Sequence, residues 1–192
     1  MRIVSTIAGV LAAILAGAVA VAYAGWYDVS AREPHTAPVT WFFATVMHNS
    51  VQRRAADINV PDLDDQSLVR AGISDYDAMC VECHGAPGRE RGAVGKGLIP
   101  QPPDLAHAAG HMSAAELYWV TRNGIRMTGM PAWGETHDDE ALWPVVAFLM
   151  RLPDLDAAGY EALLASASGS GHHGEGMKEG EHGSHEHAGQ EH

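Results

Sequence analysis

The chain has no second pair of cysteines: Cys80 and Cys83 are the only two in 192 residues. A structural zinc site draws about four protein ligands, commonly from two spaced pairs, so a zinc reading lacks half of its donors. Hydrophobic strands are also missing around these cysteines. Gly, Pro and short helical segments flank them, whereas a thioredoxin-like dithiol belongs beside a βαβ pattern. Basic residues are scarce. Twelve Lys and Arg face 24 Asp and Glu, a formal net charge of −12, which argues against a nucleic-acid surface and favours a basic or neutral docking partner.

Both cysteines stand in one stretch, MCVECHG, from Met79 to Gly85. A histidine directly after the second cysteine of a C-x-x-C pair points to c-type haem attachment. In that chemistry Cys80 and Cys83 each form a thioether to a porphyrin vinyl group, and His84, held beneath the macrocycle, donates a nitrogen to iron. The five Trp and eight Met of the chain are compatible with packing around a flat apolar cofactor.

From Ile3 to Gly25 the sequence carries no charge, with Arg2 before it and Trp26 and Tyr27 after it. At about 1.5 Å per residue such a helix spans the roughly 30 Å hydrocarbon core of a bilayer. The competing reading is a cleaved signal segment, because Ala22-Tyr23-Ala24 satisfies the small-x-small rule. The length of the run and the interfacial aromatics at its end favour an uncleaved anchor. On either reading the residues from Trp26 onward are extracytoplasmic. The expected location is the periplasmic side of a bacterial inner membrane on a single-pass anchor, with a soluble periplasmic protein cut near Ala24 as the alternative.

The exported part is expected to be all-α. Apolar residues 42, 43, 46, 47 and 51 recur at helical spacing and predict a helix over residues 41–58 with Arg53 and Arg54 near its end. His48 lies on it as a partly exposed helix residue, with a haem ligand or a partner-binding residue as the alternative. A polar linker, PDLDDQS, precedes a helix starting near Ser67 and running into the cysteine motif. Residues 85–105 are too rich in Gly and Pro to suggest regular structure and read as a loop wrapping the cofactor edge. Within it Arg89, Arg91 and Lys96 are candidates to face haem propionates or a partner, with solvated surface as the plain alternative. Ser113 and Glu116 form a capping-box signature for a helix ending near Asn123-Gly124. A strong helix follows from about Asp138 to Leu152, with Pro144 in its first turns, and a short one from Ala157 to Leu164.

The stretch RNGIRMTGMPAWG offers Met127 and Met130 between two helices. A thioether is a weak neutral ligand that raises the reduction potential opposite a histidine. Pro131 would hold Met130 on a rigid loop. A CxxCH motif on a helix, a Gly/Pro loop, a middle helix, then NGIRMTGMPAWG and a last helix together resemble a class I monohaem cytochrome c domain over about Gly72 to Leu152. The resemblance implies that the methionine of Gly129-Met130-Pro131 is the distal ligand, with Met127 as the alternative. It also implies that the helices bearing Gly72 and Tyr76 and the Leu142–Leu149 stripe cross.

The sequence therefore divides into an anchor or signal segment over residues 1–27, a linker with an extra helix over 28–66, a cytochrome c-like domain over 67–165 and a tail over 166–192. The tail is polar and glycine-rich, so disorder is its expected state. Six of the twelve histidines stand there: His172, His173, His182, His185, His187 and His192. They are candidate ligands for Cu, Ni or Zn, against the alternatives of a solubilising tail or a docking arm. The leading functional reading is an electron carrier with one His/Met-ligated haem, working as a membrane-tethered shuttle or as a subunit of a larger oxidoreductase with redox partners at the membrane. A metal-handling or sensing protein, to which His35 and His48 would also contribute, and a peroxidase-like haem enzyme are the alternatives. No catalytic residue is assigned, because no acid/base pair stands near a distal face.

Overall fold

The computed structural model describes residues 2–167 as two units, parted between Glu33 and Pro34. The six tail histidines named above lie outside the described residues. The first unit is a helix, α1 (Arg2–Ala24), long and apolar enough to cross a membrane and with none of its side chains buried.

The second unit is built of helices α2 (Ala37–Ala55), α3 (Gln66–Met79), α4 (Val81–His84), α5 (Ala93–Gly97), α6 (Leu105–Ala108), α7 (Ala114–Asn123), α8 (Asp139–Arg151) and α9 (Ala157–Ala167), with a 3₁₀ turn in each of the last three connections. No strand occurs among the described residues; an isolated bridge pairs Ala86 with Arg89.

Local chemistry sets most of the boundaries. Side chains at several starts accept from backbone N–H groups that a helix leaves unpaired, among them Asp65 for α3, Asp104 for α6, Ser113 for α7 and Asp138 for α8. At Ser113 the capping box is complete, since Glu116 Oε2 accepts from the Ser113 N–H at 2.8 Å. Helix α2 begins earlier than residue 41, because Pro38 falls in the first helical turn, where its missing N–H costs nothing, and it ends at Ala55, short of residue 58.

The core lies where α3 crosses α8, with α7 and α9 packed alongside. Ile73 and Tyr76 of α3 meet Leu142, Val145, Val146 and Phe148 of α8, all buried. At about 1.5–3 kcal/mol for each large apolar side chain buried, this contact is the main stabilising element. Gly72 makes the close approach possible, since a Cβ there would overlap the Pro144 carbonyl and press on Phe148 Cβ. Pro144 stays within a continuous α8. The crossing implied by the family resemblance is thus present, at the residues expected.

Helix α9 extends to Ala167, so Ser166 and Ala167 belong to the folded unit and not to the tail. Ala167 is buried, and its carbonyl accepts from Ser74 Oγ at 3.0 Å. Tyr160 is wholly buried against Tyr76 and Phe148, and its hydroxyl donates to Asp77 Oδ1 at 2.9 Å. Outside that contact Arg89 donates to both Asp77 and Glu161 and lies over the Tyr160 ring. These half-exposed ion pairs contribute little, about 0–1 kcal/mol each. The buried tyrosine holds the helix.

Gly72→Ala is expected to lower the unfolding free energy of the full-length holoprotein by about 1–3 kcal/mol or more, the cost of forcing atoms into a filled core, and so to lower the midpoint of denaturant unfolding. Gly97→Ala, where nothing lies within 4 Å of the added methyl, should leave it unchanged or raise it slightly. Far-UV circular dichroism in guanidinium checks both; equal midpoints would refute the close crossing.

Candidate functional site

The cysteine motif is one helical turn set against the end of α3. Cys80 caps that helix, donating its N–H to the Tyr76 carbonyl at 2.8 Å, and its own carbonyl accepts from Cys83 N at 3.1 Å and His84 N at 2.8 Å. In a helical turn the third and fourth residues after a given one lie on its face. Cys80, Cys83 and His84 therefore share a side, as a ring bound at two points with a ligand beneath it requires. Gly85 ends the turn with φ +72°, where a Cβ would press to 2.7 Å from the Arg89 carbonyl. The buried Tyr76 hydroxyl donates to the Gly85 carbonyl at 2.7 Å, fixing the turn to the core.

His84 is oriented from the far side of the loop. Its Nδ1 lies 2.9 Å from the Pro103 carbonyl oxygen. A carbonyl only accepts, so Nδ1 carries the proton and Nε2 keeps its lone pair. Burial, opposed by that hydrogen bond and helped by the Arg91 charge, holds the imidazole below the usual histidine range. Both effects leave a neutral ring whose free nitrogen can serve as a metal ligand. A backbone acceptor on the second nitrogen is the usual way a ligating histidine is aligned.

The loop after the motif is more ordered than its composition suggests. Glu82, between the two cysteines, accepts from Val94 N at 3.1 Å through its side chain and from Gly92 N at 2.9 Å through its carbonyl. That contact starts α5 inside a stretch expected to be irregular. Gly95 then rests on the Cys83 carbonyl, where a Cβ would reach 2.5 Å. A residue of the motif thus organises the segment that encloses it. Neither Glu82 nor Pro103 stands out in the sequence, since one acts through a turn twelve residues away and the other through a backbone atom.

Arg89, Arg91 and Lys96 all line a cavity that also contains His84. Arg89 is taken up by Asp77 and Glu161, and Lys96 pairs with Glu90 at 2.8 Å on the surface. Arg91 differs. Its Nε is buried and has no hydrogen-bond partner. A buried cationic donor beside a neutral, oriented imidazole fits a flat cofactor that carries carboxylate groups.

Burial pushes the Cys80 thiol up to about 12, with the charges of Asp75 and Cys83 adding to the effect. A dithiol catalyst needs the reverse, a lowered thiol. Nor does any group of three or more His, Cys, Asp or Glu side chains converge on a metal-sized site among the described residues.

The methionine loop leaves α7 at Gly124, φ +62°, where a Cβ would sit 2.6 Å from the Met130 carbonyl. Ile125 N donates to that carbonyl at 3.3 Å, and Met130 N donates to Thr128 Oγ1 at 3.1 Å. Met130 is half-buried on this closed loop. Met127 is 71% exposed and has a positive φ of 62°. His48 is exposed on α2, and His35 lies before it.

Residues 67–149 match the family described as cytochrome C oxidase, cbb3-type, subunit III. No curated protein and no solved structure matches the chain. The matched segment holds the cysteine turn, the Pro103 loop, the methionine loop and most of α8. With two cysteines and a histidine on one turn, an aligned imidazole and a helix crossing at the expected residues, this part of the chain is a monohaem c-type cytochrome domain.

Proposed function

We propose that the chain is a membrane-tethered electron carrier with one haem ligated by His84 and Met130, serving as a shuttle or as a subunit of a larger oxidoreductase on the extracytoplasmic side. The observation that carries this reading is the His84–Pro103 hydrogen bond, which presents Nε2 as a fixed ligand beside two cysteines on one helical turn. When bound, haem supplies reversible one-electron chemistry at its iron. The chain supplies attachment, alignment and setting. Cys80 and Cys83 would hold the ring covalently, His84 would sit on iron, and Arg91 would meet a propionate.

Met130 is favoured as the second ligand over Met127 because its backbone is tied at both N–H and carbonyl while Met127 points into solvent. Ligands on both sides leave iron no position for a substrate, which supports a carrier over an enzyme. The tether rests on α1, apolar and long enough to span a bilayer. The description of the matched family, a subunit of an oxidase, supports work within a complex. A net charge of −12 suits a redox partner with a basic or neutral docking face.

Intact mass measured on denatured holoprotein should exceed that of the polypeptide by one haem; a bare polypeptide mass would overturn the assignment. In NMR spectra of the reduced protein, the ring current should shift one methionine methyl far upfield. Met130→Ala should abolish that resonance and lower the reduction potential, while Met127→Ala should leave both intact. The opposite pattern transfers the ligand role to Met127. Removing a positive charge near the iron disfavours the reduced state, so Arg91→Leu should lower the potential by tens of millivolts in a potentiometric titration. An unchanged value would place Arg91 outside the site.

A further inference from the structure

Helix α2 carries more apolar surface than the fold uses. Its C-terminal end buries Val51 and Ala55, where the helix packs on α7. Toward the N-terminus the stripe Val39, Phe42, Phe43, Val46 and Met47 is left in solvent, with Phe42 55% and Val46 50% exposed. These positions repeat as i, i+3, i+4, i+7 and i+8, one continuous helix face. Trp41, 69% exposed, lies on the other side of the helix, on the face that carries Gln52.

The charge on this helix opposes that of the chain. Helix α2 contains no Asp or Glu, while Arg53 and Arg54 close its last turn and the whole chain is at −12. Among the described residues neither arginine pairs with a carboxylate; Arg54 folds back onto Ser50 of the same helix. An apolar stripe next to unpaired cations complements the acyl boundary and anionic headgroups of a lipid leaflet. Covalent reach agrees. Residues 25–36 join the end of α1 to the start of α2, an extended span of roughly 40 Å at most, so α2 starts within that distance of the point where an anchoring α1 leaves the bilayer.

We propose that the Val39–Met47 stripe of α2 lies in the headgroup–acyl boundary of an anionic bilayer, giving the cytochrome domain a second, non-spanning attachment that sets its orientation above the membrane. The proposal rests on the reading of α1 as an anchor. A single spanning helix with a loose linker lets the domain tumble. A second contact through α2 restricts which edge of the domain faces a partner.

Nitroxide labels on the full-length holoprotein test it, in vesicles of three parts phosphatidylcholine to one part phosphatidylglycerol. The native cysteines are consumed as thioethers, so Phe42→Cys, Val46→Cys, Gln52→Cys and Ala13→Cys each give one labelling site. Power-saturation electron paramagnetic resonance then compares collision with oxygen, which concentrates in lipid, and with a nickel chelate, which stays in water. Labels at 42 and 46 should show an oxygen-to-nickel ratio several-fold above that at 52, on the opposite exposed face. Equal, water-like ratios at 42, 46 and 52 with a lipid-like ratio at 13 would overturn the α2 proposal and leave the anchor standing. Low collision with both reagents at 42 and 46 would overturn it in favour of a protein neighbour, here a second copy of the chain. A water-like ratio at 13 would overturn the anchor and the α2 proposal together.

Discussion

The hydrogen bond from His84 Nδ1–H to the Pro103 carbonyl joins the two halves of the site, and the surrounding structure can be understood by what it does to keep that bond in place. A histidine on a turn of four residues would otherwise sample several ring orientations and either tautomer. The carbonyl removes that freedom, and burial keeps the ring neutral. The donor is fixed by Cys80 capping α3 and by Tyr76 holding Gly85. The acceptor is fixed by the loop that Glu82 organises and by Asp104, which caps α6 immediately after Pro103 by accepting from Ala106 N at 2.9 Å.

Those supports rest in turn on the α3–α8 crossing. Tyr76 belongs both to the core, where its ring stands 5.0 Å from that of Phe148, and to the site, through its hydroxyl. Rigidity of the core is therefore passed directly to the cysteine turn. A carrier benefits from this arrangement, because a site that changes little between oxidation states has little to reorganise when an electron moves. Helix α9 adds to the same rigidity: Tyr160 closes the core over Tyr76, and Arg89 connects the loop after the motif to Asp77 and Glu161.

Features that depend on near neighbours along the chain are legible in the sequence. The turn from Cys80 to His84, the Ser113–Glu116 capping box, the end of α7 at Gly124 and the apolar stripe of α8 each follow from spacing alone. Features made by distant backbone are not. Pro103 looks like any proline of a turn-rich segment, Glu82 like any variable residue between two cysteines, and only the fold separates Arg91 from Arg89 and Lys96. Tyr160 carries no periodic signal strong enough to mark α9 as part of the core, so the folded unit extends past the boundary at residue 165. The early start of α2 reflects Pro38, which reads as a linker residue in sequence and acts as a first-turn residue in the helix.

The proposed ligation by His84 and Met130 closes both sides of the iron in the reduced state, and carbon monoxide reports on that condition directly. The reduced full-length protein, mixed with carbon monoxide at neutral pH, is expected to keep its Soret and visible bands unchanged over minutes. A prompt shift to a carbon monoxide-bound spectrum in the unaltered protein would mean an open distal position, and would contradict the proposal of a closed, His/Met-ligated carrier.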